Sequence, residues 1–130
     1  MLDTSVLIAA EKNKIDFTAW QDYEEIYISV ITVTELLVGV HRANTEERRI
    51  KRSAFVEQII KSITALPFRE AEARIHAQIF STLLDKGNNI GAHDLIIAAT
   101  AVANNHAVLT NNENEFNRVL GLKVIPLNLS

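Results

Sequence analysis

GAHDLIIAATAVANNHAVLTNN, running from Gly91 to Asn112, decides the fold class of this chain of 130 residues. From Gly91 to Asn105 it is an Ala-rich helix, apolar on most sides after its first turn, as a helix buried in a core must be. Ala107 to Thr110 (AVLT) then reads as a short strand. Leu122 to Ile125 (LKVI) reads as another, with a helix from about Asn112 to Val119 between them. Strand, helix and strand in succession imply a crossover, hence parallel pairing with helices packed on the sheet.

Upstream the same alternation continues. Ile26 to Ile31 (IYISVI) is short and β-branched and predicts a strand. In TVTELLVGVHRA, from Thr32, residues Leu36, Leu37 and Val40 recur at helical spacing. Glu46 to Ile63 keeps Val56, Ile59, Ile60 and Ile63 on one stripe, an amphipathic helix. Leu66-Pro67-Phe68 ends it at the tail of an edge strand, because Pro cannot serve a central ladder. Glu70 to Lys86 is again helical, with Gly87 placed as its left-handed stop. Without repeat or linker, residues 1–130 read as one α/β domain with a mostly parallel sheet.

Composition excludes several classes of function. Zero Cys removes disulfide scaffolds, Cys-ligated zinc and thiol nucleophiles. The longest apolar stretch, Leu95 to Ala103, is about half of the ~20 residues that span a bilayer. The start, MLDTSVLIAAEK, carries an acid where a signal peptide carries positive charge, so the cytoplasm is the expected compartment. A net charge of −3 runs mildly against nucleic acid. It hides a basic block, however: Arg42, Arg48, Arg49, Lys51 and Arg52 are opposed locally only by Glu46 and Glu47. Such a block is ordinarily a solvated helix face, and it is also available as an electrostatic docking site.

Acids recur where a strand hands over to a helix: Asp3, Glu35, Asp94 and Glu115. In a parallel sheet these junctions converge on one edge, where such folds put their sites. Four carboxylates in one crevice repel, which raises pKa values or recruits a cation. Oxygen-only ligands select a hard ion, Mg²⁺ or Mn²⁺. Each acid also has a purely structural reading. Thr32-x-x-Glu35 fits a capping box, Asp94 and Glu115 suit the positive end of a helix dipole, and Asp3 suits an N-cap.

The wording around the acids is more distinctive. LDTSVLIA at the start, TELLVGV around Glu35, IGAHDLIIAATA around Asp94 and LTNNENEFNRV around Glu115 occur in order across Met1 to about Ile125. Together they resemble the PIN-domain family, and within it the VapC-type toxins of toxin–antitoxin pairs. That resemblance implies a three-layer α/β/α fold and an Mg²⁺- or Mn²⁺-dependent endoribonuclease that cleaves RNA, tRNA among the possible targets, by a metal-activated water. By motif, Asp3, Glu35 and Asp94 are the principal acids and metal ligands, and Glu115 takes the fourth, more variable place. Thr4, Ser5 and Thr110 match small hydroxyl positions lining such sites, and Asn112 stands just before Glu115. The resemblance further implies a homodimer, neutralised by a VapB-like antitoxin that lays Arg or Lys against the carboxylates.

Two features depart from the family pattern. Only Met1 and Leu2 precede Asp3, so either the central strand is stunted or the natural chain begins upstream. His93 stands where a small amide or aromatic residue is expected and reads as structural or as an aid in holding RNA. The alternative from another class is an inactive PIN-like module that binds RNA or protein. Phosphoaspartyl enzymes want an acid where Ser5 stands. The four glycines are too scattered for a phosphate-cradling loop, and no G-x-S-x-G elbow supports a serine hydrolase.

Overall fold

The structure, a computed structural model, describes residues 1–13 and 25–127. The elements are α1 (Thr4–Asn13), β1 (Tyr27–Ser29), α2 (Val30–His41), α3 (Glu46–Ser62), β2 (Thr64–Leu66), α4 (Glu70–Asp85), α5 (Ala92–Ala103), β3 (Val108–Thr110), α6 (Glu113–Phe116) and β4 (Val124–Pro126). Two parallel ladders form, β1 with β2 and β3 with β4. Residues 1–3 join them. The Leu2 amide donates to the Tyr27 carbonyl at 2.8 Å, while Asp3 N and Leu109 N exchange bonds with Leu109 O and Met1 O, both at 2.9 Å. Leu2 pairs with Leu109 in parallel. The spatial order is therefore β2, β1, residues 1–3, β3, β4. Only two residues precede Asp3, yet they supply the middle of the sheet.

Strand alternation divides the core in two. Leu2 joins Val6, Leu7, Ile28, Leu36, Val56 and Ile59 beneath α1, α2 and α3. Its neighbour Met1 joins Ile97, Ala98, Ala101, Val108 and Phe116 beneath α5 and α6. Helices thus cover both faces, giving three layers. Burial of these side chains, at roughly 1.5–3 kcal/mol for each large one, fixes the helices against the sheet.

The strand expected over Ile26 to Ile31 ends early, at Ser29. The Ser29 hydroxyl accepts the Ile31 amide at 3.2 Å and caps α2, so Val30 and Ile31 become helical despite their β-branching. The helix expected over Asn112 to Val119 shrinks to four residues. Past Phe116 the chain tightens into i+3 bonds, Arg118 N to Glu115 O and Val119 N to Phe116 O, before Gly121, at φ +83°, turns it toward β4. Gly87 ends α4 with φ +68° as its position predicts.

Candidate active site

Parallel pairing places Asp3, Ser29 and Thr110 at the same edge of the sheet, and α1, α2 and α6 follow them closely. Each acid is positioned by the burial of its own element. Thr32, Leu36 and Val40 form the buried stripe of α2 and leave Glu35 at its border. Ile97, Ala98 and Ala101 seat α5 with Asp94 in its first turn. Fully buried Phe116 anchors the short α6 and holds Glu115 next to it.

Thr4, Ser5 and Thr110 bond to the acids Glu35 and Asp3. Asp3 is buried, and its Oδ2 accepts from Ser5 Oγ at 2.6 Å and from Thr110 Oγ1 at 2.8 Å. Backbone amides complete both hydroxyls: Asn111 N donates to Ser5 Oγ at 3.0 Å and Asn112 N to Thr110 Oγ1 at 2.8 Å. Thr4 Oγ1 donates to Glu35 Oε1 at 2.8 Å and lies 3.0 Å from Thr32 Oγ1. The capping-box reading of Thr32 and Glu35 is therefore wrong. Ser29 is the cap, Thr32 is buried one turn further on, and Glu35 is held across the cleft by α1.

Asn112 spans the other pair. Its Nδ2 donates to Glu115 Oε2 at 2.6 Å and lies 3.4 Å from Asp94 Oδ2, while Gly91 N donates to Glu115 Oε1 at 3.2 Å. Burial pushes the Asp94 carboxyl up to about 8, assisted by its hydrogen bond to Glu115 and by the charges of Asp3, Glu115 and Glu35. Its partner moves the other way. The bond to Asp94 holds Glu115 below its ordinary value, against some desolvation, with the Asn112 amide, Gly91 N–H and Arg118 helping. Asp94 thus holds its proton chiefly because it is buried, and the other three acids add to the effect through their charges.

The donor set, four carboxylates with hydroxyls and an amide between them, fits a hard dication in chemistry. Among the described residues, no three carboxylate or imidazole side chains converge closely enough to cage an ion as they stand. The hydrogen bonds explain why: Asp3, Glu35 and Glu115 are each drawn to a separate hydroxyl or amide, which spreads the repelling charges.

The basic block lies elsewhere. Arg42 caps the far end of α2, Arg48 Nη1 donates to Asn44 Oδ1 at 2.8 Å, Arg49 pairs with Glu46 and Lys51 Nζ lies 3.4 Å from Glu47. Among the described residues none of these four bonds to the acid cluster. The sequence offers Thr32 only as a cap and does not mark Gly91 or Arg118 as site residues. Thr32 is visible in hindsight as one of a buried i, i+4, i+8 series. The Gly91 amide and Arg118 carry no signal, because both act through a chain reversal that spacing does not fix.

A family model described as PIN domain matches residues 1–122. Ribonuclease VapC1 of Rickettsia felis is 42% identical over 125 residues, covering 96% of this chain and 93% of that protein. The tRNA(fMet)-specific endonuclease VapC of Salmonella typhimurium is 34% identical over 128 residues, 95% of this chain and 94% of that one. Among solved structures, DNA-bound VapBC from Salmonella typhimurium matches with a TM-score of 0.86 at 32% identity, covering 97% of this chain and 96% of that one. The chain belongs to the PIN domain family, in its VapC branch.

Proposed function

We propose that residues 1–130 form a single PIN domain acting as an Mg²⁺- or Mn²⁺-dependent endoribonuclease, the toxin of a VapBC-like pair in the cytoplasm. The supporting observation is that Asp3, Glu35 and Glu115, from three separate segments, all act on Asp94, and that burial first and these neighbours second raise its carboxyl to about 8. Asp3 and Asp94 would hold the ion directly, with Glu35 and Glu115 completing its shell directly or through water. A dication held there would supply a water of lowered pKa and draw charge from the phosphate oxygens. Ser5 and Thr110 keep Asp3 aimed at the site, Thr4 keeps Glu35 aimed, and Asn112 keeps Asp94 and Glu115 together. Attack in line with the scissile bond leaves a 5′-phosphate and a 3′-hydroxyl.

Partners follow from the relatives. A VapB-like antitoxin, of the kind named in the VapBC structures, would cover the acids, and the toxin would act as a homodimer. The tRNA-specific Salmonella relative makes tRNA the first substrate to try. Arg42, Arg48, Arg49 and Lys51 would meet the RNA backbone away from the scissile phosphate. The test is cleavage of RNA in Mg²⁺ or Mn²⁺, abolished by EDTA and by Asp94→Asn. Cleavage that survives both treatments contradicts the proposal.

A further inference from the structure

Two bonds clasp the segment that opens α5 to the short helix α6 and the turn after it. Gly91 N donates to Glu115 Oε1 at 3.2 Å, and Arg118 Nη1 donates to Asn89 O at 2.5 Å. The first runs from main chain to side chain and the second from side chain to main chain, so residues 89–91 are held at both ends. Between them Ile90 packs against the core beneath α5. Gly91 O accepts from Leu95 N at 2.9 Å as α5 begins. The clasped segment therefore sets where α5 starts, and with it where Asp94 stands.

Arg118 lies three residues beyond Glu115, close enough for its charge to act on that carboxylate. Among the described residues it nevertheless makes no ion pair, and its guanidinium bonds to the Asn89 carbonyl instead. A guanidinium is charged at every working pH, and hydrogen bonds with an ionised donor are among the stronger kinds. We propose that Arg118 is a positioning residue of the nuclease, acting through Asn89 and Gly91 to hold Asp94 and Glu115 at their working separation without touching RNA or ion. Asn112 links the two carboxylates directly, and the clasp supplies the backbone frame on which they stand. This rests on the endoribonuclease reading and adds to it a residue outside the acid cluster on which the geometry of the cluster depends.

The test compares the wild type, Arg118→Ala and Arg118→Lys by hydrogen exchange of the Gly91 amide in metal-free protein, by calorimetry with Mn²⁺, and by cleavage of a randomised short RNA pool. Expected in Arg118→Ala is faster exchange at Gly91 and Mn²⁺ affinity lower by about tenfold, as for the loss of an outer partner of a metal site. RNA cleavage loses kcat while KM stays at the wild-type value. Lys restores part of each, because its ammonium still donates to Asn89 O. Wild-type Mn²⁺ affinity in Arg118→Ala, or in Arg118→Lys where the Ala variant does not fold, overturns the inference alone. So does a raised KM with unchanged Mn²⁺ affinity and a salt slope of RNA binding in EDTA reduced by about 0.7–0.9, which would make Arg118 a phosphate contact. A wild type that neither binds Mn²⁺ nor cuts RNA overturns the nuclease reading and this inference with it.

Discussion

Thr110 Oγ1 donates to Asp3 Oδ2 at 2.8 Å, a buried bond between residues 107 positions apart. It ties the short central segment of the sheet to β3 at the point where the candidate site begins. Thr110→Val removes that donor and also strips Asn112 N of its acceptor. Expected is a loss of about 1–3 kcal/mol in urea unfolding, with Thr110→Ser close to wild type. Equal stability of the Val variant would show that the bond contributes nothing.

Thr4 and Thr32 test the hold on Glu35. Both are buried, and their hydroxyls lie 3.0 Å apart. Thr4→Val leaves Thr32 facing a methyl group, so Thr32→Val should cost less in that background than in wild type. A double-mutant cycle should give a coupling of about 0.5–1.5 kcal/mol. Thr4→Val should also slow RNA cleavage, because Glu35 loses the donor that aims it.

Asp94 sets a pH dependence. A carboxyl held above its unfolded value binds its proton more tightly in the folded chain. Its contribution to stability is therefore complete below its ordinary value of 3.8 and is lost as pH climbs toward about 8. In the metal-free protein the stability difference between wild type and Asp94→Asn should shift against wild type across that interval, read from urea midpoints at successive pH values. Mn²⁺ competes with the same proton, so its apparent affinity should rise with pH over the interval. A flat difference would mean that Asp94 titrates as an ordinary carboxylate.

The basic block makes a separable prediction. Arg42→Ala and Arg48→Ala should each reduce the salt slope of RNA binding by about 0.7–0.9, as for the loss of one phosphate contact. Arg49→Ala and Lys51→Ala should change it less, since Glu46 and Glu47 already offset them. Unchanged slopes for Arg42→Ala and Arg48→Ala would remove the block from the RNA-binding surface.

Helices were legible wherever an apolar stripe was long: α3, α4 and α5 lie within a few residues of their expected bounds, because 3.6-residue periodicity survives in sequence. Three-residue strands leave too little pattern, so the expected strand over Ile26 to Ile31 runs past the Ser29 cap, and the one expected over Leu122 to Ile125 starts two residues before β4 and ends one residue short of it. Asp3 and Glu115 were legible from strand-to-helix junctions, whereas Asp94 opens a helix that follows another helix and Glu35 lies a turn and a half into α2. The mutual placement of the acids was not legible. Whether Glu35 bonds to Thr32 within α2 or to Thr4 across the cleft depends on how α1 packs, and no local spacing encodes that.

The most direct measurement is Mn²⁺ anomalous scattering from crystals of the wild type and of Asp94→Asn. Expected is a peak in the wild type within bonding distance of Asp3 and Asp94, with Glu35 and Glu115 in contact with the ion or its water, and no such peak in Asp94→Asn. Mn²⁺ bound away from these carboxylates, or bound at them equally well without Asp94, would contradict the assignment.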